Sequence, residues 1–276
     1  MKLSFSTLAC PDWDIKKVVK FAVDNKYDGV ELRGNPPHIS KEYSQIERES
    51  VRDLFHSNGL EIPCITAYTR FNERKAELRR ENIEELKEII ELAADLGAPY
   101  VRTFGSDADN SYELSKVISW IAEAFKEIDD YAAQKGVRVL LETHDFLSKG
   151  EDVVKIFEKS QTSNCGVLWD VAHSIRAGED IATTLAYLGR CIYHIHLKDW
   201  VPIPVYSRDH YVLIAAGSLP LRALLERLKT INYQGYLSLE WEKVWHPEIE
   251  ESDIAVVQYA LKMREYLNDL NKPDSY

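Results

Sequence analysis

The chain has 276 residues, 45 % of them hydrophobic, which is enough to bury a large core and lies within the usual range for one α/β barrel. Lys plus Arg is 34 and Asp plus Glu is 45, and the resulting net charge of −11 argues against a partner with a phosphate backbone, such as a nucleic acid. No apolar stretch approaches the roughly 18 residues that span a bilayer, and the first residues show no signal-peptide pattern, so we expect a cytoplasmic protein without a membrane partner.

No linker rich in Pro, Gly or Ser divides the chain, and we predict one domain over residues 1–276, although two smaller domains would also fit this length. The cysteines are widely spaced and lie in or beside apolar runs. This favours buried, reduced thiols over a metal or redox pair at Cys10, Cys64, Cys165 and Cys191.

Short apolar and β-branched runs alternate with longer segments of helical period, which is typical of repeated βα units. In chain order, strands are predicted at Leu3–Leu8, Gly29–Arg33, Glu61–Ala67, Tyr100–Phe104, Arg138–Thr143, Gly166–Asp170, Ile192–Lys198 and Tyr236–Trp241. Between them, Arg79 to Leu96 shows an apolar stripe and a charged face. Four glycines after helical segments are predicted to end helices in the left-handed conformation: Gly59, Gly97, Gly136 and Gly235.

Eight such units predict an α/β fold of the single (β/α)₈ TIM-barrel type, since repeated right-handed crossovers close a ring. The alternative is an open doubly wound sheet. That fold favours a Gly-rich turn after the first strand, which the residues after Leu8 do not provide. Functional residues of a barrel collect at the carboxyl ends of its strands.

Four neighbouring strands, the fifth to the eighth, end in residues able to bind a metal: Glu142, Asp170, His196 and Glu240. Carboxylates facing one another in a barrel mouth need a compensating charge. Three carboxylates and one imidazole suit one divalent ion, Mn²⁺, Mg²⁺, Co²⁺ or Zn²⁺. An acidic residue at a strand end can instead cap the next helix, and Asp170 is placed to do so. The shared position at four adjacent strand ends favours the metal site.

The segments LLETHD, LWDVAHS, HIHLKD and LSLEWEKVWHP, which begin at Leu140, Leu168, His194 and Leu237, resemble the xylose-isomerase-like barrel superfamily. The resemblance is to its sugar isomerase and epimerase group, which includes tagatose 3-epimerase-type enzymes, inosose dehydratases and hydroxypyruvate isomerases. It runs along nearly the whole chain. It implies the same four metal ligands, a sugar or polyol substrate that is free or phosphorylated, and a substrate-contacting role for His173; a homo-oligomer stays open.

The metal-centred site predicts proton abstraction next to a carbonyl through a metal-stabilised enediolate, with Glu142 and Glu240 as the catalytic pair. His144 and Lys198 are further candidates for substrate binding. A role in orienting a neighbour stays open for His144, and so does a salt bridge for Lys198. His194, one layer deeper, is interpreted as a core histidine.

The chain departs from the resembling group in the loop after the seventh strand, where several relatives carry a substrate-binding Arg. Here the loop offers Trp200, Arg208 and His210. Other activities therefore stay open. A dehydratase or lyase would use the same ligands. An endonuclease needs a basic groove, which the net charge disfavours. A non-catalytic barrel that binds a small molecule also stays open, and absence of bound metal from the purified protein would favour it.

Overall fold

The computed structural model describes residues 1–106, 111–202 and 210–272. Eight parallel strands form one sheet in which each strand lies beside its neighbours in the chain, in the order β1-β10-β7-β6-β5-β4-β3-β2. They are β1 (Lys2–Phe5), β2 (Leu32–Arg33), β3 (Cys64–Thr66), β4 (Tyr100–Thr103), β5 (Arg138–Glu142), β6 (Cys165–Asp170), β7 (Ile192–Leu197) and β10 (Tyr236–Leu239). A separate antiparallel pair, β8 (Asp199–Val201) and β9 (His210–Val212), follows β7.

The sheet curls until the strands at the two ends of this order, β1 and β2, lie beside each other. Ser6 and Glu31 form a parallel bridge there, and the Glu31 amide donates to the Phe5 carbonyl at 2.9 Å. The Thr7 amide in turn donates to the Glu31 carbonyl at 2.9 Å. The predicted (β/α)₈ barrel is therefore confirmed.

Helices connect the strands, and their apolar faces pack on the outside of the ring. In the described parts of the chain they are α1 (Ile15–Asp24), α2 (Gln45–Ser57), α3 (Ala76–Leu96), α4 (Leu114–Gln134), α5 (Gly150–Ser160), α6 (Val171–Arg176), α7 (Ile181–Leu188), α8 (Leu221–Thr230) and α9 (Ser252–Leu270). The predicted stripe of α3 is confirmed, because Ile83, Leu86 and Ile90 are buried. None of these helices is both long and apolar enough to cross a bilayer.

Three of the four predicted helix-ending glycines have positive φ angles: Gly59, Gly97 and Gly136, at 70°, 76° and 70°. The prediction for Gly235 is wrong. After α8 the left-handed residue is Asn232, with φ 55°, so the helix already ends three residues earlier. Gly235 serves another purpose, since a Cβ atom there would lie 2.4 Å from the Tyr233 hydroxyl.

Alternation along the strands decides which side chains face the barrel axis. Leu168 joins Cys64 and Leu140 in a small buried cluster inside the ring. Trp169, the next residue of β6, faces outward, and its indole N–H donates to the Ser174 hydroxyl of α6 at 3.1 Å. Asp170 is therefore returned to the inside, at the carboxyl end of the strand. All four cysteines are free thiols, as predicted, although Cys191 is only partly buried.

Candidate metal centre

Four side chains from the later half of the barrel meet on its axis. Glu142 and Asp170 end β5 and β6, His196 lies in β7, and Glu240 directly follows β10. One possible ligand atom from each lies within 4.8 Å of those of the other three, and none of the four residues is more than 5 % exposed. The structure thus brings together the four residues predicted as metal ligands.

The electrostatics of this group fit a cation. Burial is the largest effect that raises the pKa of Asp170 to about 7, and the charges of Glu240 and Glu142 add to it against the opposing charge of Lys198. Oδ2 of Asp170 and Oε2 of Glu142 are fully buried, and each faces a cation, Lys198 Nζ at 2.8 Å and Arg102 Nε at 3.1 Å, without the geometry of a hydrogen bond. Buried carboxylate oxygens whose only partners are charges of this kind are suited to direct coordination of a divalent ion.

His196 stands between two sets of acids. Its Nδ1 lies 3.1 Å from Glu142 Oε1 and 3.3 Å from Glu240 Oε1, whereas its Nε2 lies 2.9 Å from Glu31 Oε2. Burial lowers the pKa of His196, but the charges of Glu31 and Glu240 outweigh it and hold that pKa well above its usual range. With Nε2–H donating to Glu31, a deprotonated Nδ1 is the atom left to bind a metal.

Glu31 also contacts the other histidine of β7, His194. His194 Nε2 lies 2.6 Å from Glu31 Oε2, and both side chains are completely buried. The interpretation of His194 as a core histidine matches this position, one layer below the four predicted ligands. Glu31, His194 and His196 form a second group of potential ligands that shares His196 with the first. We interpret Glu31 as the acceptor that orients both imidazoles.

Lys198 neutralises the other side of the group. Its Nζ lies 2.8 Å from Asp170 Oδ2, 2.5 Å from Glu240 Oε2 and 2.7 Å from Glu242 Oε1. Burial raises the pKa of Glu240, but the charges of Lys198 and His196 outweigh it and hold that pKa well below the usual range. The salt bridge that sequence analysis had left open for Lys198 is therefore present, and with different partners from the adjacent Asp199.

Arg102, which projects from β4, compensates Glu142. Its Nε lies 3.1 Å from Glu142 Oε2, and its Nη1 donates to the Ala67 carbonyl at 3.0 Å. Burial raises the pKa of Glu142, but the charge of Arg102 outweighs it and gives a net lowering. Glu142 is therefore ionised at neutral pH although it is fully buried.

Two partly exposed histidines lie above the buried group. The rings of His144 and His173 are 4.1 Å apart, and His173 Nε2 lies 3.2 Å from Lys198 Nζ. Burial and the charge of Lys198 hold the pKa of His173 well below its usual range, so its imidazole is neutral. The His173 amide donates to Asp170 Oδ1 at 3.2 Å. Asp170 thus caps α6 while its other oxygen faces Lys198.

Sequence reasoning missed three residues of this site: Glu31, Arg102 and Glu242. Glu31 and Arg102 are each a charged residue within a predicted strand that is otherwise largely apolar, in GVELR and YVRTF. This is the same signal that identified Glu142. Of the residues considered after the seventh strand, Trp200 is buried and His210 begins β9, while Arg208 lies outside the described residues.

Comparison with known proteins extends over most of the chain. The inosose isomerase of Bacillus velezensis is 24 % identical over 252 residues, which cover 87 % of this chain and 88 % of that protein. The fructoselysine 3-epimerase of Shigella flexneri is 23 % identical and covers 87 % of this chain and 90 % of its own. An inosose dehydratase of Geobacillus thermodenitrificans is 24 % identical over 54 % of this chain and 53 % of that protein.

Among solved structures, that of the IOLI protein, described with a bound zinc atom, superposes with a TM-score of 0.84. It covers 99 % of this chain and 100 % of its own at 20 % identity, which supports the fold. The relatives are thus isomerases, epimerases and dehydratases of sugars and related compounds. The model of the xylose isomerase-like TIM barrel matches residues 19–261. This protein therefore belongs to the xylose isomerase-like TIM-barrel family.

Proposed function

We propose that this protein is a divalent-metal-dependent sugar isomerase or epimerase that removes a proton from a carbon next to a carbonyl and returns one. The observation that carries the proposal is the convergence of Glu142, Asp170, His196 and Glu240 within 4.8 Å at the carboxyl ends of the strands. These four residues would hold one Mn²⁺, Mg²⁺, Co²⁺ or Zn²⁺ ion. When bound, such an ion supplies Lewis-acid polarisation of substrate oxygens.

We assign proton transfer to Glu142 and Glu240. They belong to strands three steps apart in the ring, so they approach a substrate from different sides. The charges of Arg102 and Lys198 keep the two carboxyls ionised, so that either Oε atom is ready to accept a proton. One carboxylate takes the proton from carbon and releases it to water, while the other takes up a proton from water and delivers it to carbon, so that both are ionised again at the end.

The substrate would be held by the residues above this pair. His173 is neutral and partly exposed, so its imidazole can donate to or accept from a sugar hydroxyl. His144 stacks beside it and would contact the same molecule. Lys198, fully buried among acids, would supply positive charge to a substrate oxygen. We expect a small sugar or polyol, as the names of the relatives suggest.

A dehydratase is the second candidate, and the match to an inosose dehydratase favours it. The first step would be the same proton abstraction by Glu142 or Glu240. The bond to a β-hydroxyl would then break, and that oxygen would leave as water after taking a proton from a neighbouring acid. The carboxyl group that took the proton from carbon can supply it, which leaves that carboxyl ionised again.

The decisive experiment combines metal analysis of the purified protein with incubation of D-fructose and an inosose in deuterium oxide. Isomerase or epimerase action predicts deuterium at one carbon without loss of water, whereas dehydratase action predicts water loss. Glu240→Gln should slow exchange about 10²- to 10⁴-fold, since it removes a proton-transferring carboxylate. Glu179→Gln, at a buried carboxylate that binds the Gly150 amide away from the site, is the control. Full exchange by Glu240→Gln with metal still bound would refute the assignment.

A further inference from the structure

The earlier strands of the barrel line the opposite side of its mouth with different chemistry. We call Glu142, Asp170, His196 and Glu240 the acidic half of the mouth. We call Arg33, Tyr68, Arg102 and Phe104 the basic half. The aromatic rings of Tyr68 and Phe104 lie 5.8 Å apart, and guanidinium groups pack against them. The guanidinium carbon of Arg102 is 3.9 Å from the centre of the Phe104 ring, and that of Arg33 is 5.6 Å from the Tyr68 ring.

Arg33 is the member of the basic half that has no charged partner within residues 1–106, 111–202 and 210–272. Its Nε donates to the Tyr68 hydroxyl at 2.9 Å. Its two terminal nitrogens donate to no residue of the described chain, and no carboxylate of that part forms an ion pair with it. Arg33 is nevertheless only 9 % exposed. Its terminal nitrogens are not among the buried atoms that lack a partner, so the small exposed part of the side chain presents charged N–H donors that other molecules can reach.

Arg102, the other arginine of the basic half, does have a charged partner. It pairs with Glu142 at 3.1 Å and donates to the Ala67 carbonyl. Glu31, which directly precedes β2 and lies two residues before Arg33, is already bound to two histidines. These neighbouring acids are thus engaged elsewhere. Arg33 remains as a largely buried cation whose terminal N–H groups have no partner among the described residues.

Arg33 lies close enough to the acidic half for one ligand to reach both. A continuous series of contacts leads from Arg33 to the Tyr68 hydroxyl, from the Tyr68 ring to the Arg102 guanidinium at 5.1 Å, and from Arg102 to Glu142. Arg33 also follows Glu31 along β2, which places it one layer nearer the carboxyl end of the strands. It therefore stands at the rim of the mouth.

We propose that Arg33, with the Tyr68 hydroxyl, binds an anionic group of the substrate, so that the protein acts on a keto sugar carrying a carboxylate or a phosphate. The inference rests on the proposed function, because it names the class of substrate for that site. A guanidinium offers parallel N–H donors that match the oxygens of either anion. The anion supplies the negatively charged partner that Arg33 lacks among the described residues, while the remainder of the molecule extends toward the acidic half.

The test compares three probes that differ at carbon 6 alone: D-fructose, D-fructuronate and D-fructose 6-phosphate. Their dissociation constants are measured by calorimetry with the metal-loaded and the chelator-treated protein. We expect the wild type to bind at least one anionic probe about 10- to 100-fold more tightly than fructose, the size expected of charge-assisted hydrogen bonds. The tighter of the two anions identifies carboxylate or phosphate as the natural group.

Arg33→Met should remove this preference and leave the affinity for fructose unchanged. Arg138→Met is the matched control. Arg138 also lies against a tyrosine ring, 4.1 Å from the centre of Tyr193, but at the amino end of β5, and the preference should survive its replacement. If Arg33→Met does not fold, Arg33→Lys carries the test, since it keeps the charge and loses the paired donors. A reduced preference supports the proposal, and an unchanged one overturns it.

The chelator-treated protein separates this inference from the proposed function. Equal binding of all three probes by the wild type, with metal bound normally, would overturn the role of Arg33 alone. An anion preference that depends on Arg33 in a protein that binds no metal would support the role of Arg33 and overturn the proposed metal-dependent function.

Discussion

The two halves of the barrel mouth differ in charge although one strand geometry builds both. The acidic half has three carboxylates around one imidazole, and its four members are almost completely buried. The basic half has two guanidinium groups and two aromatic rings, and its rings are partly exposed. They touch where Arg102 meets Glu142 at 3.1 Å. A chain with net charge −11 thus keeps two arginines beside three buried carboxylates.

Net charge therefore says little about the ligand of a barrel. The acidic half fits a cation and the basic half fits an anion, so the charges of a molecule bound across both halves would determine its orientation. A substrate with a carbonyl at one end and an anionic group at the other matches these two halves.

The largest effect is expected from Asp170→Asn. Asparagine caps a helix as well as aspartate does, so the bond from the His173 amide can remain, but the anionic metal ligand is lost. Metal affinity should fall by more than about 100-fold, beyond the range typical of groups outside the coordination sphere. Titration calorimetry with Mn²⁺ or Zn²⁺ measures it.

Asp180→Asn is the control, because Asp180 caps α7 in the same way by accepting from the Thr183 amide at 2.8 Å. After treatment with a chelator, the Asp170→Asn protein should unfold at about the same temperature as the wild type. Burial raises the pKa of the Asp170 carboxyl, so replacing this carboxyl by an amide should cost little stability. Wild-type metal affinity in Asp170→Asn would mean that Asp170 only caps the helix.

A smaller effect is expected from Glu31→Gln. The carboxylate accepts from His194 and His196 at once, whereas an amide offers one oxygen and turns an NH₂ group toward the second imidazole. The His196 ring would lose its fixed orientation, and metal affinity should fall roughly 10- to 100-fold. The same calorimetric titration applies, with Glu179→Gln as the buried-carboxylate control. An equal loss in both variants would point to general destabilisation.

The sequence predicted the acidic half and missed the basic half for physical reasons. Each member of the acidic half is an ionisable residue at or near the carboxyl end of a largely apolar strand, and adjacent strands place such ends together. The partners of Glu31 lie 163 and 165 residues away and meet it across the ring, which no local pattern records. From the sequence alone, Arg33 resembles any charged residue at the end of a strand. That its guanidinium has no charged partner among the described residues can be found only from the three-dimensional structure.

The end of α8 shows the same limit on a smaller scale. A glycine before a strand is a sound sign of a helix end, and it holds at Gly59, Gly97 and Gly136. At α8 an asparagine takes the left-handed position, as that residue type can, and Gly235 is needed instead for the Tyr233 hydroxyl. Local rules therefore locate the helix ends, while packing decides which residue forms each one.

The smallest effect is expected from Tyr68→Phe, which tests whether the basic half acts through hydrogen bonds or through charge alone. The Tyr68 hydroxyl accepts from Arg33 Nε at 2.9 Å and keeps one proton to donate. Removing it should weaken binding of the preferred anionic probe by about 2- to 10-fold, the value of one ordinary hydrogen bond. Fructose should bind as before, because the ring that faces Phe104 is retained.

The loss of affinity in Tyr68→Phe is interpreted by comparing it with the loss in Arg33→Met. If the guanidinium supplies most of the affinity and the hydroxyl holds it in place, Tyr68→Phe must cost less than Arg33→Met, and the double variant must cost little more than Arg33→Met alone. Additive losses would show two independent contacts to the anion. A larger loss from Tyr68→Phe than from Arg33→Met would reverse the assignment and make the phenol, rather than the charge of Arg33, the group that selects the ligand.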